Sequence, residues 1–379
     1  MKNRYLILII IYLAGIAAPL NQFKVPPLMH LLTAELNIDF AASGWLMSAF
    51  AFIGFVFALP AGMIVRRIGL KNAGIIALST LPAGSLSGTF ATTAWMILLS
   101  RFIEGAGLCL MSIVGPSAIA AWFPPEKRGA PMGLWATWVP AGTLIMFALG
   151  PFASNWHALW VGTSIYTALI LALFCLFFKL PERNSAVVIP HKTDFSAYKN
   201  LNIWLLGAAF MSFNMMSISM KTYVPKFLRE VQGFSDIAAS AQTNLIMIFS
   251  IIAAPLTGML SDIVKSRKAF IVTGMLVAAG ITASFFTMDG HYSQALILLG
   301  AIMGIIPAAV FSLTPELMKS PEQAGTSMSI ITLGQNTGMF AGPVLFSMTA
   351  GHYSWQTAGY TFAIVLAFGC LISISIKTK

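Results

Sequence analysis

The chain has 379 residues, of which 58% are hydrophobic and 9% are charged, and its formal net charge at pH 7 is +10. Soluble domains carry about 25% charged residues, so this composition excludes an ordinary soluble protein. The positive net charge alone would allow a nucleic-acid partner, but the positions of the basic residues, given below, argue against one.

Twelve apolar segments follow one another along the chain, each near the roughly 20 residues that a helix needs to span a bilayer. Because lipid offers the backbone no hydrogen-bond partner, we predict that each segment is an α-helix. The predicted fold class is therefore an all-α membrane protein with twelve transmembrane helices in two six-helix bundles. The predicted spans are 5–33, 41–64, 73–91, 94–122, 130–152, 156–179, 200–231, 237–262, 269–287, 292–318, 322–350 and 353–376.

The basic residues are distributed unequally between the two sides of the predicted membrane. With a cytoplasmic N-terminus, the inner loops and tails hold seventeen of the 22 Lys and Arg residues, and the outer loops hold two, Lys226 and Arg229. An excess of positive charge marks the cytoplasmic side of a membrane protein. We therefore expect a multi-pass protein of a bacterial inner membrane, with both termini in the cytoplasm and no nucleic-acid partner.

Lys24 lies in the first predicted span, where a charged group is costly and usually faces a polar cavity. Asn21 lies three residues before it, on the same helical face. Pro26 and Pro27 remove backbone donors, so we expect a kink and carbonyl groups without helical partners near Lys24. One interpretation is an anion-binding ammonium group. The alternative is a lysine whose long side chain reaches the outer interface.

The fourth span contains a second charged pair, Arg101 and Glu104, three residues apart on one face. One interpretation is a local ion pair whose charges cancel, as buried charges usually must. The other gives Arg101 a part in binding substrate or transferring protons. In the fifth span, Trp135 and Trp138 are also three residues apart, and they either line the site or pack between helices.

Lys221 occupies a similar position in the seventh span. Asn214, Ser217 and Lys221 follow the spacing i, i+3, i+7, which places them on one polar stripe of a helix. The same two interpretations apply, because Pro225 and the neighbouring outer-loop charges place the membrane surface nearby.

Other polar residues in the second half of the chain are further candidates. Gln335 and Asn336 in the eleventh span, and Gln242 and Asn244 in the eighth, could hydrogen-bond a substrate or a neighbouring helix. Glu316 follows a proline near the inner end of the tenth span, so we expect it at the interface.

The two halves of the chain are related by an internal repeat. An offset of 196 residues places Gly62-Met63 on Gly258-Met259 and brings Lys24 to within one position of Lys221. Duplicated six-helix halves are common in secondary transporters. The predicted organisation is an N-terminal bundle at 1–179, a cytoplasmic linker at 180–199 and a C-terminal bundle at 200–379.

Several motifs resemble those of the major facilitator superfamily. The loop after the second span reads Gly-Met-Ile-Val-Arg-Arg-Ile-Gly-Leu-Lys (62–71), and its counterpart reads Gly-Met-Leu-Ser-Asp-Ile-Val-Lys-Ser-Arg-Lys (258–268). Both are similar to the loop signature of that superfamily. The fourth span, Leu-Ser-Arg-Phe-Ile-Glu-Gly-Ala-Gly (99–107), resembles its helix-4 motif. The stretch 115–135 is similar to the cyanate and nitroimidazole permease branch and to nearby anion transporters.

The resemblance implies roles for particular residues. Helices 1, 4, 7 and 10 of the superfamily line its cavity, so it implies that Lys24 and Lys221 face a cavity. The Asp of the loop signature helps to close the cytoplasmic side, which implies a gating role for Asp262 and for Arg67 in the first loop. The chain departs from the signature at Arg66, where the superfamily usually has Asp.

The charges within the spans favour an anionic substrate. They comprise three bases and one secure acid, Glu104, and if Arg101 and Glu104 cancel, Lys24 and Lys221 remain uncompensated. The leading hypothesis is a secondary active transporter of a small organic or inorganic anion, a carboxylate or a cyanate-like ion, that works by alternating access. The expected substrate-binding residues are Lys24, Lys221, Asn21, Asn214, Arg101, Gln335, Asn336 and Trp138. The expected coupling or gating residues are Glu104, Arg101, Arg67 and Asp262.

Two other functions remain open. One is a proton-coupled exporter of an amphipathic drug or of an anionic metabolite such as a carboxylate siderophore, and the other is a receptor or passive channel. Proton symport, anion exchange and facilitated diffusion are all compatible with the sequence. Because no phosphate-binding loop, metal-ligand spacing or catalytic constellation is evident, we expect no cofactor, metal or enzymatic activity. We also expect a monomer.

Overall fold

A computed structural model describes residues 2–58, 60–124, 127–181, 195–264, 266–318, 320 and 323–378. These residues form α-helices joined by turns and short 3₁₀ segments, with no β-strand among them, so the all-α prediction is confirmed. The α-helices are α1 (Lys2–Phe23), α2 (Met29–Glu35), α3 (Phe40–Ser43), α4 (Trp45–Phe57), α5 (Ala61–Ile68), α6 (Leu70–Thr89), α7 (Ala94–Trp122), α8 (Gly129–Ala136), α9 (Trp138–Leu149), α10 (Trp156–Phe177), α11 (Leu201–Glu230), α12 (Asp236–Val264), α13 (Arg267–Phe285), α14 (Tyr292–Leu317), α15 (Ala324–His352) and α16 (Trp355–Ser375). The 3₁₀ segments are Pro26–Leu28, Gly150–Phe152 and Phe195–Lys199.

Within the described residues, ten helical segments are long and apolar enough to cross a membrane. The two other predicted spans, 73–91 and 322–350, are also helical, in α6 with 20 residues and α15 with 29 residues. Three predicted spans are divided rather than continuous. The first contains α1 and α2, the second α3 to α5, and the fifth α8 and α9.

Side-chain caps determine where several helices begin. Asp39, Thr93, Asn155 and Ser354 each have extended backbone and accept a hydrogen bond from the N–H three residues later. Such a cap satisfies one of the amide groups that a helix leaves without an internal partner. These four residues therefore start α3, α7, α10 and α16.

The chain divides into two compact units. Unit 1 comprises Met1–Asn37 and Ala49–His191, and unit 2 comprises Ile38–Ser48 and Lys192–Lys379. Most of the predicted linker at 180–199 lies outside the described residues, since 182–194 are not among them. The segment Ile38–Ser48 precedes the linker in sequence but belongs to unit 2, where Ser347 Oγ donates a hydrogen bond to the Ala41 carbonyl at 2.7 Å.

Glycines allow close helix packing within each unit. In unit 1, a Cβ atom at Gly84 would collide with the α7 backbone, and one at Gly107 with α6. In unit 2, Gly300 and Gly304 of α14 lie in the same way against the backbone of α12. Small residues let helices approach closely where lipid provides no hydrophobic driving force between them. In unit 1 this contact places α7 directly beside α6.

Candidate functional site

The first predicted span is interrupted just before Pro26. Helix α1 ends at Phe23, and Lys24 lies in the turn that leads into the 3₁₀ segment Pro26–Leu28. Proline has no N–H group, so the carbonyl of Gln22, four residues before Pro26, has no helical donor. The predicted interruption at the proline pair is therefore confirmed.

Arg101 of α7 provides the missing donors. Its Nη2 donates a hydrogen bond to the Gln22 carbonyl at 2.8 Å, and its Nη1 donates to the Asn21 carbonyl at 2.6 Å. A guanidinium suits this role because its planar fork presents several N–H groups at fixed angles. The carbonyl groups at the end of α1 thus hold a side chain from a helix 80 residues later in the chain.

The ammonium group of Lys24 is directed into the interior of unit 1. The residue is 0% exposed. Its Nζ contacts an oxygen atom from each of four elements of unit 1: Asn21 Oδ1 at 3.1 Å, Ser85 Oγ at 2.6 Å, Glu104 Oε1 at 2.6 Å and Thr163 Oγ1 at 3.5 Å. The ring of Trp160 lies 4.3 Å from Nζ, in a cation–π contact. A lysine that reaches the interface leaves its amine in water, so that alternative is wrong for Lys24.

Glu104 bridges the two cations. Its Oε1 lies 2.6 Å from Lys24 Nζ, and its Oε2 lies 2.5 Å from Arg101 Nη1, with all three side chains 0% exposed. The expectation that Arg101 and Glu104 cancel each other and leave Lys24 uncompensated is therefore wrong. Glu104 is shared, because the fold brings Lys24 to its second oxygen.

We name Lys24, Arg101 and Glu104 the ion cluster. With all three groups ionised, one carboxylate between two cations gives the cluster a formal net charge of +1. Buried charges are costly unless they are paired and hydrogen-bonded, and each member here has several partners. Among the described residues, the formal excess positive charge of the cluster is compensated by hydrogen-bonding dipoles rather than by a second acid.

Four residues that the sequence did not identify as candidates surround the cluster: Ser85, Trp160, Thr163 and Thr167. Ser85 Oγ donates to the Trp160 carbonyl at 2.9 Å and lies 3.0 Å from Thr163 Oγ1. Thr167 Oγ1 accepts a hydrogen bond from Asn21 Nδ2 at 3.2 Å, which orients the Asn21 oxygen that contacts Lys24. The sequence signal that could have identified Ser85, Thr163 and Thr167 was the presence of hydroxyl groups within the apolar spans 73–91 and 156–179.

Unit 2 contains the stripe of Asn214, Ser217 and Lys221 on α11. Asn214 and Ser217 are buried, and Lys221 is partly buried. Asn214 Nδ2 donates to the Phe210 carbonyl at 2.7 Å, and Ser217 Oγ lies 3.4 Å from the sulfur of Met303. The 196-residue offset places Gly300 opposite Glu104 and Ile297 opposite Arg101, so the ion cluster is not repeated in unit 2.

Other candidates in unit 2 differ in their surroundings. Gln335 and Asn336 are partly buried on α15. Gln242 of α12 accepts a hydrogen bond from Ser293 Oγ of α14 at 2.8 Å, which favours helix packing for that residue. Glu316 pairs with Arg267 at 2.6 Å and is partly exposed, as expected at an interface.

Trp135 and Trp138 stack on each other inside unit 1. Their ring centroids are 4.8 Å apart with an interplanar angle of 16°. The ring of Trp135 lies against Gly115 of α7, and both rings lie against Gly15 of α1. This geometry favours the packing interpretation for the pair.

Comparison with known proteins decides the family. A model described as Major Facilitator Superfamily matches residues 11–332 and 239–377. The chain belongs to the major facilitator superfamily. Members of this superfamily are membrane transporters, and the observed helices agree with its fold.

Relatives of known name are distant but cover almost the whole chain. The probable nitrate transporter NarT of Staphylococcus aureus (strain JH9) is 21% identical over 358 residues, which are 93% of this chain and 90% of NarT. A bacterial homologue of the human lysosomal transporter Spinster, inward-facing and occupied, has a TM-score of 0.79 at 15% identity, covering 99% and 97% of the two chains. A mutant form of the nucleoside transporter NupG has a TM-score of 0.81 at 11% identity, covering 98% and 99%. The two solved structures support the fold alone.

The loop signature of the major facilitator superfamily is only partly described. Arg66 and Arg67 are exposed in the last turn of α5, which ends at Gly69 with φ of +84°. Glycine adopts such a positive φ without strain, so it can end the helix here. The side chain of Asp262, and Pro125 and Glu126 of the stretch 115–135, lie outside the described residues.

Proposed function

We propose that this protein is a secondary active transporter of a small monovalent anion, organic or inorganic, that works by alternating access. The observation that carries the proposal is the ion cluster of unit 1, where Lys24 and Arg101 outnumber Glu104 in an apolar interior. Charge interactions are strong where water is excluded, so excess positive charge there attracts anions and repels cations.

The similarity to NarT supports the same class of substrate. NarT is described as a probable nitrate transporter, and nitrate is a small planar anion with one negative charge. At 21% identity the substrate itself can differ, so the proposal extends to small carboxylates and cyanate-like ions.

The proposed roles follow the chemistry of the side chains. Cationic and amide groups donate hydrogen bonds to anions, and an acid beside them is suited to accept a proton. In unit 1 the proposed substrate-binding residues are Lys24, Arg101 and Asn21, with Trp138 in the surrounding wall. In unit 2 they are Lys221, Asn214, Gln335 and Asn336. Coupling and gating are assigned to Glu104, Arg101, Arg67 and Asp262.

The proposed location is a bacterial cytoplasmic membrane, with both termini on the cytoplasmic side. The support is the excess of Lys and Arg in the predicted inner loops. We propose that the monomer is the transporting unit, with the ion cluster built entirely from unit 1 of one chain.

Counterflow in proteoliposomes tests this function. Vesicles loaded with unlabelled nitrate, formate or cyanate are diluted into the same labelled anion, and a carrier accumulates the label transiently. We expect counterflow of at least one of these anions by the wild type and its loss in Lys24→Ala. Lys226→Ala is the matched control, because Lys226 is partly exposed on α11 and pairs with Glu230.

Two outcomes would favour one of the alternative functions, a channel or a drug exporter, over this proposal. Anion flux without trans-stimulation would indicate a channel. Export of an amphipathic drug without counterflow of any tested anion would indicate the drug exporter.

A further inference from the structure

The donors of the ion cluster that face Glu104 are engaged. Nζ of Lys24 has three N–H groups and contacts four oxygen atoms, and the Nη atoms of Arg101 contact Glu104 and two carbonyl groups. A substrate anion that bridges Lys24 and Arg101 at this point therefore takes the position of the Glu104 carboxylate.

The Glu104 carboxylate already has the shape of such a ligand. It is planar, and it presents one oxygen to Lys24 at 2.6 Å and the other to Arg101 at 2.5 Å. Nitrate, formate, bicarbonate and small carboxylates have the same planar arrangement of oxygens, which pairs well with a guanidinium. The chain thus fills, with its own side chain, a position suited to a monovalent oxyanion.

A buried donor without a partner in the described part of the chain lies beside the ion cluster. The indole ring of Trp160 lies over Lys24 Nζ, and its Nε1–H is fully buried with no hydrogen-bond partner among the described residues. A buried donor without an acceptor is unfavourable. Both oxygens of Glu104 are engaged by the cations, and Trp160 Nε1 lies against Gly88 of α6, so the carboxylate leaves this donor unsatisfied.

The charge of the cluster determines how the exchange can occur. If an anion entered and Glu104 stayed ionised, a carboxylate would be left in the apolar interior without its two cations, which is costly. If Glu104 takes up a proton, the two cations keep one anion and the net charge remains +1. The exchange then leaves the total buried charge unchanged.

Resting on the proposed function, we propose that Glu104 is an internal counter-anion that a monovalent oxyanion replaces, and that Glu104 takes up one proton for each anion bound. The proton comes from solution and ends on the Glu104 carboxyl group. The N–H groups of Lys24 and Arg101 transfer their hydrogen bonds from Glu104 to the anion.

The neighbours of Glu104 restrict which group can exchange the proton. Arg101 on its own helix and Lys24 after α1 are the charged groups that face it among the described residues. From α6 it meets Gly84, and Ser85 and Thr163 bring only hydroxyl groups to the cluster. Among the described residues, Glu104 is therefore the acidic side chain of the ion cluster, and we expect it to be the group that exchanges the proton.

Anion binding as a function of pH tests the proposal. The purified full-length protein is titrated with nitrate or formate in weakly buffered detergent solution containing a pH indicator, and affinity is measured by thermal shift. We expect the protein to take up about one proton for each anion that it binds. At pH values where Glu104 is ionised before binding, the affinity for the anion should fall about tenfold for each unit by which the pH rises.

Glu104→Gln, which is neutral and of similar shape, should bind the same anion with pH-independent affinity and no proton uptake. Glu316→Gln is the matched control, since Glu316 is partly exposed and pairs with Arg267 outside the cluster. It should keep the wild-type pH dependence.

The outcomes separate this inference from the proposed function. Binding by the wild type that is independent of pH overturns the inference and leaves the anion transporter standing, whether or not Glu104→Gln folds. Proton uptake that persists in Glu104→Gln also overturns it, because another group, such as Lys24, would then titrate. If neither anion binds at any pH and none is transported, both proposals fail.

Discussion

Replacement of Arg101 by lysine tests whether α7 holds the interruption at the end of α1. Lysine keeps the positive charge beside Glu104, but a single ammonium group cannot reproduce the fork that binds the carbonyls of Asn21 and Gln22. At least one of these buried carbonyls should lose its donor. A buried acceptor without a donor costs about 1–3 kcal/mol of unfolding free energy.

The same mechanism predicts a specific rescue. Pro26→Ala restores the N–H group that would donate to the Gln22 carbonyl in a regular helix. In the Arg101→Lys background we expect this substitution to recover about 1 kcal/mol, the usual net contribution of one hydrogen bond. Pro27→Ala is the matched control, because its new N–H would serve the carbonyl of Phe23 rather than that of Gln22.

The assay is thermal unfolding of the single and double variants at one scan rate in the same detergent. For a domain of 150–250 residues, 1 kcal/mol shifts the midpoint by about 2–4 °C, so Arg101→Lys should lower it by roughly 2–12 °C. A midpoint equal to that of the wild type, or equal effects of Pro26→Ala and Pro27→Ala in the Arg101→Lys background, would refute the reasoning.

Two further substitutions test other parts of the structure. Gly84→Ala adds a methyl group that would lie 2.6 Å from Glu104 Cγ, so we expect overpacking of about 1–3 kcal/mol in thermal unfolding. Gly133→Ala, whose Cβ would meet nothing within 4 Å, should be neutral, and similar destabilisation of both would contradict the packing. Lys221→Ala should reduce anion counterflow at least tenfold while Lys226→Ala keeps it; equal activities would remove Lys221 from the substrate path.

Much of the ion cluster could be anticipated from residue types, but not its pairing. Arg101 and Glu104 are three residues apart, so sequence spacing suggested a closed local pair. Lys24 reaches the other oxygen of Glu104 across 80 residues, a contact that helical periodicity does not encode. Ser85 and Thr163 were missed because each shares its span with several other hydroxyl residues, and no pattern distinguishes the ones that meet the cluster.

The amino-acid sequence by itself determined the membrane-helical class and the interruption at Pro26, and it predicted a duplicated arrangement. These follow from local chemistry, since apolar length requires helices in lipid and proline removes a backbone donor. Only the tertiary structure decided that Lys24 is buried within unit 1, that Glu104 serves two cations and that Arg101 binds the carbonyls at the end of α1. The physical reason is that an ionised group in an apolar interior takes whichever partners the packed helices bring within hydrogen-bond distance, and that choice depends on the whole fold.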